Sequence, residues 1–266
     1  MKKQLLALAG MALLFAACSQ KDDPQPATNA FTGLLKGMYN VTDTSRYEYN
    51  DDKTVSTVRY GFIDDTEVGG GIVTMKYVSG KVSEIWESTY NGSLVFGPKQ
   101  QMVWVTYVGN NIQKIRMREN ADYSIVDSIR YNNGKMEKIF HIGNHNTQAV
   151  IVNTDSLVWT GSNITKVIRE SIDGNGGAAY TDVYTFDDKP NVYTDIMPSM
   201  LDGTFIAEPF NANNAVKVVR SEAGKPDRTN TFQYQYNNKN KVTQRTATYQ
   251  FDEGPGTQVT VFDYYQ

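Results

Sequence analysis

Apolar and polar residues alternate with a period of two along much of the chain. The apolar positions form short runs, among them 73, 75 and 77, then 103, 105 and 107, and again 232, 234 and 236. A strand points successive side chains to opposite faces, so each run predicts a strand with one buried face. A sustained helical period is absent, and we expect only one short helix near Phe31 to Met38 and an irregular connection around Pro198 to Leu201.

One pattern recurs along the chain: an aromatic residue, a turn, and apolar residues five and eight positions after the aromatic. Tyr107, for example, is followed by Gly109-Asn110, then by Ile112 and Ile115. Copies start at positions 77, 107, 131 and 159, a weaker one starts at 210, and looser relatives with altered turns start at 49, 186 and 236, so that successive starts are 24 to 30 residues apart. A regular period of this length indicates one supersecondary unit that is used repeatedly.

Each copy predicts a β-hairpin. Turns such as Asn133-Gly134 supply the positive φ angles that tight hairpins need. The two apolar positions after each turn are three apart, which places Ile112 and Ile115 on opposite faces of a regular strand. Either the first of them still belongs to the turn, or a bulge follows it.

Eight hairpins correspond to about sixteen strands, a large number for one sheet. We therefore predict an all-β fold, an antiparallel meander of about eight repeated hairpins that forms a curved sheet or an open barrel. A sandwich and a small propeller of four-stranded blades are the alternatives.

The first residues predict an export signal. Lys2 and Lys3 precede an apolar run at positions 5–17, which is too short to span a bilayer and is followed by Cys18. Small residues before a single cysteine resemble the lipobox of bacterial lipoproteins, so Cys18 is the predicted lipidation site. We divide the chain into a signal peptide at 1–17, an acylated cysteine with a Pro-containing tether at 18–30, and a repeat β-hairpin domain at 31–266.

Composition excludes several classes of protein. The chain has 26 basic and 29 acidic residues, which argues against a nucleic-acid partner bound through a basic patch. Its single cysteine excludes a disulfide framework and a cysteine-based zinc site. No segment indicates a cofactor, and none is expected.

The turn signatures resemble two known groups. The aromatic–Asn–x–Gly–Lys–apolar units are similar to the tyrosine-dipeptide hairpins of Rhs-type proteins. The segment Phe186-Asp187-Asp188-Lys189-Pro190-Asn191, followed by Asn213-Asn214-Ala215-Val216-Lys217, resembles Bacteroidetes lipoproteins that carry the domain of unknown function numbered 4595. The likeness covers roughly Tyr107 to the C-terminus, although Pro190-Asn191 has the reverse of the usual order. It implies a surface lipoprotein with an all-β domain, and it supplies no catalytic residue.

Candidate catalytic and metal-binding groups are few. His141 and His145 are spaced as metal ligands would be on a helix, but Gly143 and Asn144 between them predict a turn, so we interpret both as loop histidines. Asp173 to Gly177 has only part of a calcium-loop pattern, and we predict no metal site. Asp64, Asp65, Asp187 and Asp188 are the carboxylates that a glycoside hydrolase would need as a pair.

Aromatic residues are the most suggestive surplus, since such planes stack on sugar rings or anchor protein partners. The repeat places Tyr77, Tyr107, Tyr131 and Trp159 in the core. Trp86 and Trp104 lie on faces that the pattern does not assign, so they are the possible binding residues.

Asp127-Ser128-Ile129 and Asp155-Ser156-Leu157 match a short pattern that is glycosylated in exported Bacteroidetes proteins. Three-residue patterns of this kind recur by chance, and both lie in predicted strands.

Together these features predict a lipoprotein of the outer membrane, attached through its N-terminal lipid and facing the cell surface, with the periplasmic face as the alternative. We expect a non-enzymatic module that binds a glycan, a peptide or an envelope protein. A polysaccharide hydrolase that uses paired carboxylates and a structural subunit of an envelope complex are the other hypotheses.

Overall fold

A computed structural model describes residues 31–63, 68–91, 95–118, 123–145, 148–172, 177–201, 207–250 and 255–266. The predicted signal peptide, the tether and Cys18 lie outside these residues. Within the described ranges, no helix has the length and apolar character needed to cross a membrane.

The described chain is built from strands and two short 3₁₀ helices, at Thr194–Met200 and Glu208–Phe210. The strands, in chain order, are β1 Leu35–Tyr39, β2 Asp43–Tyr49, β3 Val55–Ile63, β4 Val68–Val78, β5 Lys81–Asn91, β6 Gln100–Val108, β7 Asn111–Arg118, β8 Tyr123–Asn132, β9 Lys135–His145, β10 Gln148–Thr160, β11 Asn163–Ser171, β12 Tyr180–Pro190, β13 Asn213–Ser221, β14 Arg228–Tyr236, β15 Val242–Tyr249 and β16 Gly256–Tyr264.

The strands form a sixteen-stranded antiparallel barrel in which each pairs with its neighbours in sequence. The prediction of an all-β meander of hairpins is confirmed. The barrel is closed rather than open, because β1 pairs with β16 through contacts such as Met38 with Phe262. Closure leaves no sheet edge unpaired, which neither a sandwich nor a propeller would do here.

Closure also corrects the expectation of a helix near Phe31 to Met38. Leu35–Tyr39 is a strand because it has partners on both sides, β16 and β2. Phe31 precedes it in a turn and packs its ring against the rings of Tyr49 and Tyr265. Hydrogen bonding to β16, at the far end of the chain, determines the conformation of this segment. A local sequence pattern cannot predict that pairing.

A bulge follows the tight turns, which resolves the spacing of the apolar pairs. Tyr107 pairs with Ile112 and Thr106 pairs with Lys114, so one residue of β7 is left over. The same shift occurs after the turns of β4–β5, β8–β9 and β10–β11. An extra residue returns the next side chain to the same face, so Ile112 and Ile115 are both buried inside the barrel.

The repeated aromatic residues link one hairpin to the preceding one. Tyr77 donates a hydrogen bond to the carbonyl oxygen of Val55 (2.8 Å), and the indole N–H of Trp159 donates to that of Met136 (2.7 Å). Val55 and Met136 are both the first apolar residue after a turn. Tyr77, Tyr107, Tyr131 and Trp159 pack against the core and are partly buried, as the repeat predicts.

The barrel interior has two different ends. The tight-turn end contains the short connections at 50–54, 79–80, 109–110, 133–134, 161–162 and 237–241, and we call the opposite end the loop end. The inward apolar residues nearest the tight turns, such as Ile112, Ile139 and Ile164, form the core. A long β12–β13 connection also enters this end and buries Ile196, and its first 3₁₀ helix contacts β3 on the far wall.

Asparagine side chains hold the described residues of this connection, 191–201 and 207–212, which we call the plug. Val192 N–H donates to Oδ1 of Asn214 (2.9 Å), and Asn191 donates through Nδ2 to the carbonyl oxygen of Asn211 (2.9 Å). Asn213 donates to the carbonyl oxygen of Lys189. The Asn pair of the family-like signature therefore has a structural role here, because it replaces missing backbone partners in an irregular segment.

Candidate functional site

Charged side chains occupy the inside of the barrel on three consecutive hairpins. Each hairpin pairs a carboxylate on its first strand directly with a cationic residue on its second strand. The register pairs are Asp127 with His141, Asp155 with Arg169, and Asp182 with Arg220. In the first two hairpins, the charged pair lies farther from the tight turn than an apolar inward pair, Ile129 with Ile139 and Leu157 with Val167.

The first two pairs form one continuous network. His141 Nδ1 lies 2.6 Å from Oδ1 of Asp127, and Nε2 lies 2.9 Å from Oδ2 of Asp155. The guanidinium of Arg169 donates to both oxygens of Asp155, through Nε at 2.7 Å and Nη2 at 2.5 Å. Every group of this network is buried except Arg169, which is partly buried.

The network fixes the ionisation of its members. Burial opposes a charged imidazole, but the hydrogen bonds and negative charges of Asp127 and Asp155 outweigh it and raise the pKa of His141 to about 9. Burial alone would raise the pKa of Asp155, and the contacts with Arg169 and His141 lower it instead. His141 is therefore an imidazolium between two carboxylates at neutral pH.

The third pair is joined to this network by an aromatic ring. Arg220 donates to both oxygens of Asp182 at 2.8 Å. The ring of Tyr180 lies between two guanidinium groups, 3.9 Å from that of Arg220 and 5.2 Å from that of Arg169. A guanidinium group is attracted to an aromatic ring, so Tyr180 interacts favourably with both arginines and connects the third pair to the network.

A different arginine faces the plug. Arg245 on β15 donates through Nη1 to the hydroxyl of Tyr193 at 2.5 Å, and its guanidinium lies over the rings of Tyr193 and Phe232. Burial raises the pKa of Glu208 in the same region, although the charge of Arg245 lowers it in part. Burial likewise raises the pKa of Tyr193 to about 12, so its hydroxyl stays protonated.

These groups surround a cavity of about 410 Å³ between the plug and strands β10 to β15. Its walls include Asp155, Asp182, Arg220 and Arg245, and its aromatic lining comes from Tyr180, Tyr184, Tyr193, Phe232 and Tyr249. Met200, Ala207 and Glu208 of the plug line the side toward the tight turns. Size, aromatic lining and a few convergent polar groups are the usual features of a small-molecule site.

The structure assigns Trp86 and Trp104 to the outer face of the barrel. Trp86 Nε1 donates to Glu84 (2.8 Å), which also pairs with Lys76. Trp104 pairs in register with Glu84, and Arg116 lies over its ring at 5.6 Å. The two indoles form a partly exposed aromatic patch on β5 and β6, separated from the cavity by the barrel wall.

The other predicted site residues do not come together. Asp64, Asp65 and positions 173–176 lie outside the described residues. Asp187 accepts hydrogen bonds from the hydroxyl of Tyr236 and from Asn214, whereas Asp188 is largely exposed beside Lys189. These two adjacent aspartates therefore support a turn and face different surroundings. In the described ranges, no group of three or more His, Cys, Asp or Glu residues has metal-binding geometry.

His141 corrects a sequence interpretation. It lies inside strand β9, not in a loop, because β9 continues to His145. Gly143 and Asn144 have ladder partners on both sides, in β8 and β10. Pairing on two sides again outweighs the local turn propensity of glycine and asparagine.

The charged pairs carry a signal in the repeat that the sequence interpretation missed. Four positions before the aromatic residue, successive copies have Val73, Val103, Asp127, Asp155 and Asp182. Ten positions after it, they have Glu87, Met117, His141 and Arg169, and Arg220 follows Phe210 by the same ten. Both are inward positions, so the site is marked where an acidic residue at the first position is combined with a cationic residue at the second. Glu87 does not form such a combination, because it is opposite Val73.

Comparison with known proteins gives the fold and no more. No family model and no curated protein matches the chain. A porin-like protein from Bacteroides uniformis has a similar structure, with a TM-score of 0.53, 12% identity, and coverage of 88% of this chain and 98% of that chain. A porin-like protein from Bacteroides vulgatus has a TM-score of 0.42 and 10% identity, with coverage of 87% and 98%. The first of these similarities identifies the chain as a β-barrel of the same general architecture.

Proposed function

We propose that this chain is a lipid-anchored, non-enzymatic binding module of the bacterial outer membrane, and that it holds a small polar ligand in the cavity of its barrel. The observation that carries the proposal is the cavity, a polar and aromatic space in a barrel whose other end is filled by apolar side chains and the plug. Mouths of β-barrels are a frequent place for such sites.

The outer surface supports attachment by lipid rather than by the barrel wall. Outward side chains form ion pairs, including Arg59 with Glu48 and Arg130 with Glu137, both at 2.9 Å. A barrel wall that faces lipid has an apolar band instead. We therefore assign membrane attachment to acylation at Cys18, with the barrel facing the cell surface. Labelling with a radioactive fatty acid tests this: the label is expected on the wild type and absent from Cys18→Ser.

A binding screen with glycans, peptides and envelope proteins tests the main proposal. The chain from Ser19 to Gln266 is compared with Met200→Trp, which fills the cavity, and with Trp86→Ala and Trp104→Ala, which alter only the outer patch. We expect Met200→Trp to abolish binding and both outer variants to retain it. The reverse result would move the site to the outer tryptophans, and binding that survives all three variants would overturn both assignments.

A hydrolase is the second candidate, and one observation favours it. Burial raises the pKa of Glu208, and Glu208 shares the cavity with Asp182, so two carboxyl groups line one cavity, as glycoside hydrolysis requires. Against it, Arg220 holds Asp182 through two hydrogen bonds. Cleavage of a polysaccharide by the wild type but not by Glu208→Gln would establish this activity, and binding without cleavage would exclude it for that substrate.

A further inference from the structure

Arg245 differs from the other arginines of the cavity in its lack of a counter-ion. Arg169 and Arg220 each make two hydrogen bonds to one aspartate. For Arg245, no carboxylate among the described residues lies within ion-pair distance, and its Nε is buried without a hydrogen-bond partner there. A buried guanidinium with an unused N–H is costly unless another group accepts its hydrogen bond.

The surroundings of Arg245 favour an anionic partner. Glu208 lines the same cavity, but burial raises its pKa, which weakens it as a counter-charge. Asp155 and Asp182 are each held by another arginine, Arg169 and Arg220. Arg245 is thus a cation of the cavity wall to which no carboxylate of the described residues is hydrogen-bonded.

The rest of the lining fits a ring that carries hydroxyl groups. Phe232 and Tyr249 line the cavity with Arg245, and aromatic side chains can pack against the apolar side of a sugar ring. Asp182 and Asn230 supply polar atoms in the same cavity, where they can meet hydroxyl groups. Arginine is suited to a carboxylate because its N–H groups match the two oxygens in a fork.

We propose that the cavity binds a sugar acid, a saccharide ring bearing a carboxylate, and that Arg245 receives the carboxylate. This inference rests on the proposed function, since it names the ligand class of that same site. Nε and a second N–H of Arg245 donate to the two carboxylate oxygens, while the hydroxyl of Tyr193 keeps the guanidinium in place through Nη1.

Calorimetric titration of the chain from Ser19 to Gln266 tests the ligand class. Glucuronate and galacturonate are the probes, and glucose and galactose are their neutral counterparts. We expect the uronates to bind and the neutral sugars to bind at least ten times more weakly, because only the uronates can accept the charged hydrogen bonds. Equal affinity within a pair, or no binding of either uronate, would overturn the proposal.

Arg245→Gln tests the residue, and Arg59→Gln on the outer face is its matched control because it removes the same charge. Arg245→Gln is expected to weaken uronate binding about ten- to a hundredfold, and Arg59→Gln to leave it unchanged. Full affinity in Arg245→Gln would refute the role of Arg245. If that variant does not fold, the comparison of uronates with neutral sugars on the wild type still decides the ligand class.

The two proposals fail in different ways. A neutral ligand whose binding Met200→Trp abolishes would leave the cavity as the binding site and remove the sugar-acid inference. Binding of any ligand that Met200→Trp does not affect would contradict the cavity itself.

Discussion

Hairpins β6–β7 and β10–β11 have the same construction but differ at one inward pair. Both have a glycine turn, a bulge after it and an aromatic residue before it. In β6–β7 the directly opposed inward residues are Val103 and Met117, and in β10–β11 they are Asp155 and Arg169. The turn, the bulge and the aromatic residue, which build the barrel, are thus the same in both hairpins. The inward pair farther from the turn differs: it is apolar and part of the core in one hairpin, and charged and part of the site in the other.

The apolar and charged pairs also differ in what they contribute to stability. Burial of the apolar side chains of Val103 and Met117 stabilises the folded state. Burial of an ion pair is opposed by the loss of hydration of both charges. Replacement of such a pair by apolar residues is often neutral or stabilising. Three charged pairs in neighbouring hairpins are therefore better explained by binding than by stability.

The largest expected effect comes from removing one half of a charged pair. Asp182→Val removes an ion pair with two hydrogen bonds from the partly buried guanidinium of Arg220, and we expect a loss of about 3–5 kcal/mol in the free energy of unfolding. The double variant Asp182→Val/Arg220→Met, which copies the β6–β7 pair, is expected to recover most of that loss. Urea unfolding measures both, and a double variant no more stable than the single one would contradict this view of the pair.

The second prediction concerns pH, because the β8–β9 pair contains histidine. The pKa of His141 is about 9 in the folded protein against an ordinary value of 6.5. The protonated form therefore stabilises the fold fully below pH 6.5, and this contribution is lost as the pH rises through 9. We expect the free energy of unfolding to fall over that interval by at most about 3 kcal/mol.

His141→Gln provides the control for this pH dependence. Glutamine keeps a polar side chain but does not titrate, so the variant should lose most of the slope between pH 6.5 and 9. Urea unfolding at several pH values measures it. An unchanged slope in His141→Gln would assign the dependence to another group.

The shared parts of the hairpins are the parts that the sequence predicts well. The positions of Tyr77, Tyr107, Tyr131 and Trp159, together with the turns after them, predict the strands and the meander because these signals are local. Closure is not predictable in this way, since β1 and β16 come from opposite ends of the chain. The prediction of a helix near Phe31 is wrong for the same reason, because the segment pairs with the distant strand β16.

The site was less accessible from sequence than the fold. Asp127 and Asp155 belong to a short glycosylation-like pattern, and a plausible turn signal follows His141, so none of the three indicates the barrel interior. Recognising the pairs requires knowledge of which residues oppose each other, and the bulges shift that register by one residue. Arg245 is harder still, because the longer 237–241 connection displaces it from the repeat positions.

A smaller effect tests the hydrogen bond by which a repeated aromatic residue, such as Tyr77 or Trp159, links its hairpin to the preceding one. Trp159→Phe keeps an aromatic ring, although a smaller one, and removes the N–H that donates to the carbonyl oxygen of Met136. We expect a loss of about 1 kcal/mol in the free energy of unfolding, the typical value of one hydrogen bond. The same loss should follow from Tyr77→Phe, whose hydroxyl donates to Val55. If neither variant differs from the wild type, packing alone accounts for the repeated aromatic residue.

The smallest effect is expected at an ion pair on the outer face, which sharpens the contrast with the pairs inside. Arg59 and Glu48 are 2.9 Å apart, with 45% and 42% of their side chains exposed. Water and salt screen such a pair, so Arg59→Gln should cost less than about 1 kcal/mol and less still at high salt. If Arg59→Gln lost as much free energy of unfolding as Asp182→Val, burial inside the barrel would not be what determines how much an ion pair contributes to stability. Parallel urea titrations at low and high salt decide between the two, because only the outer pair should respond strongly to the added salt.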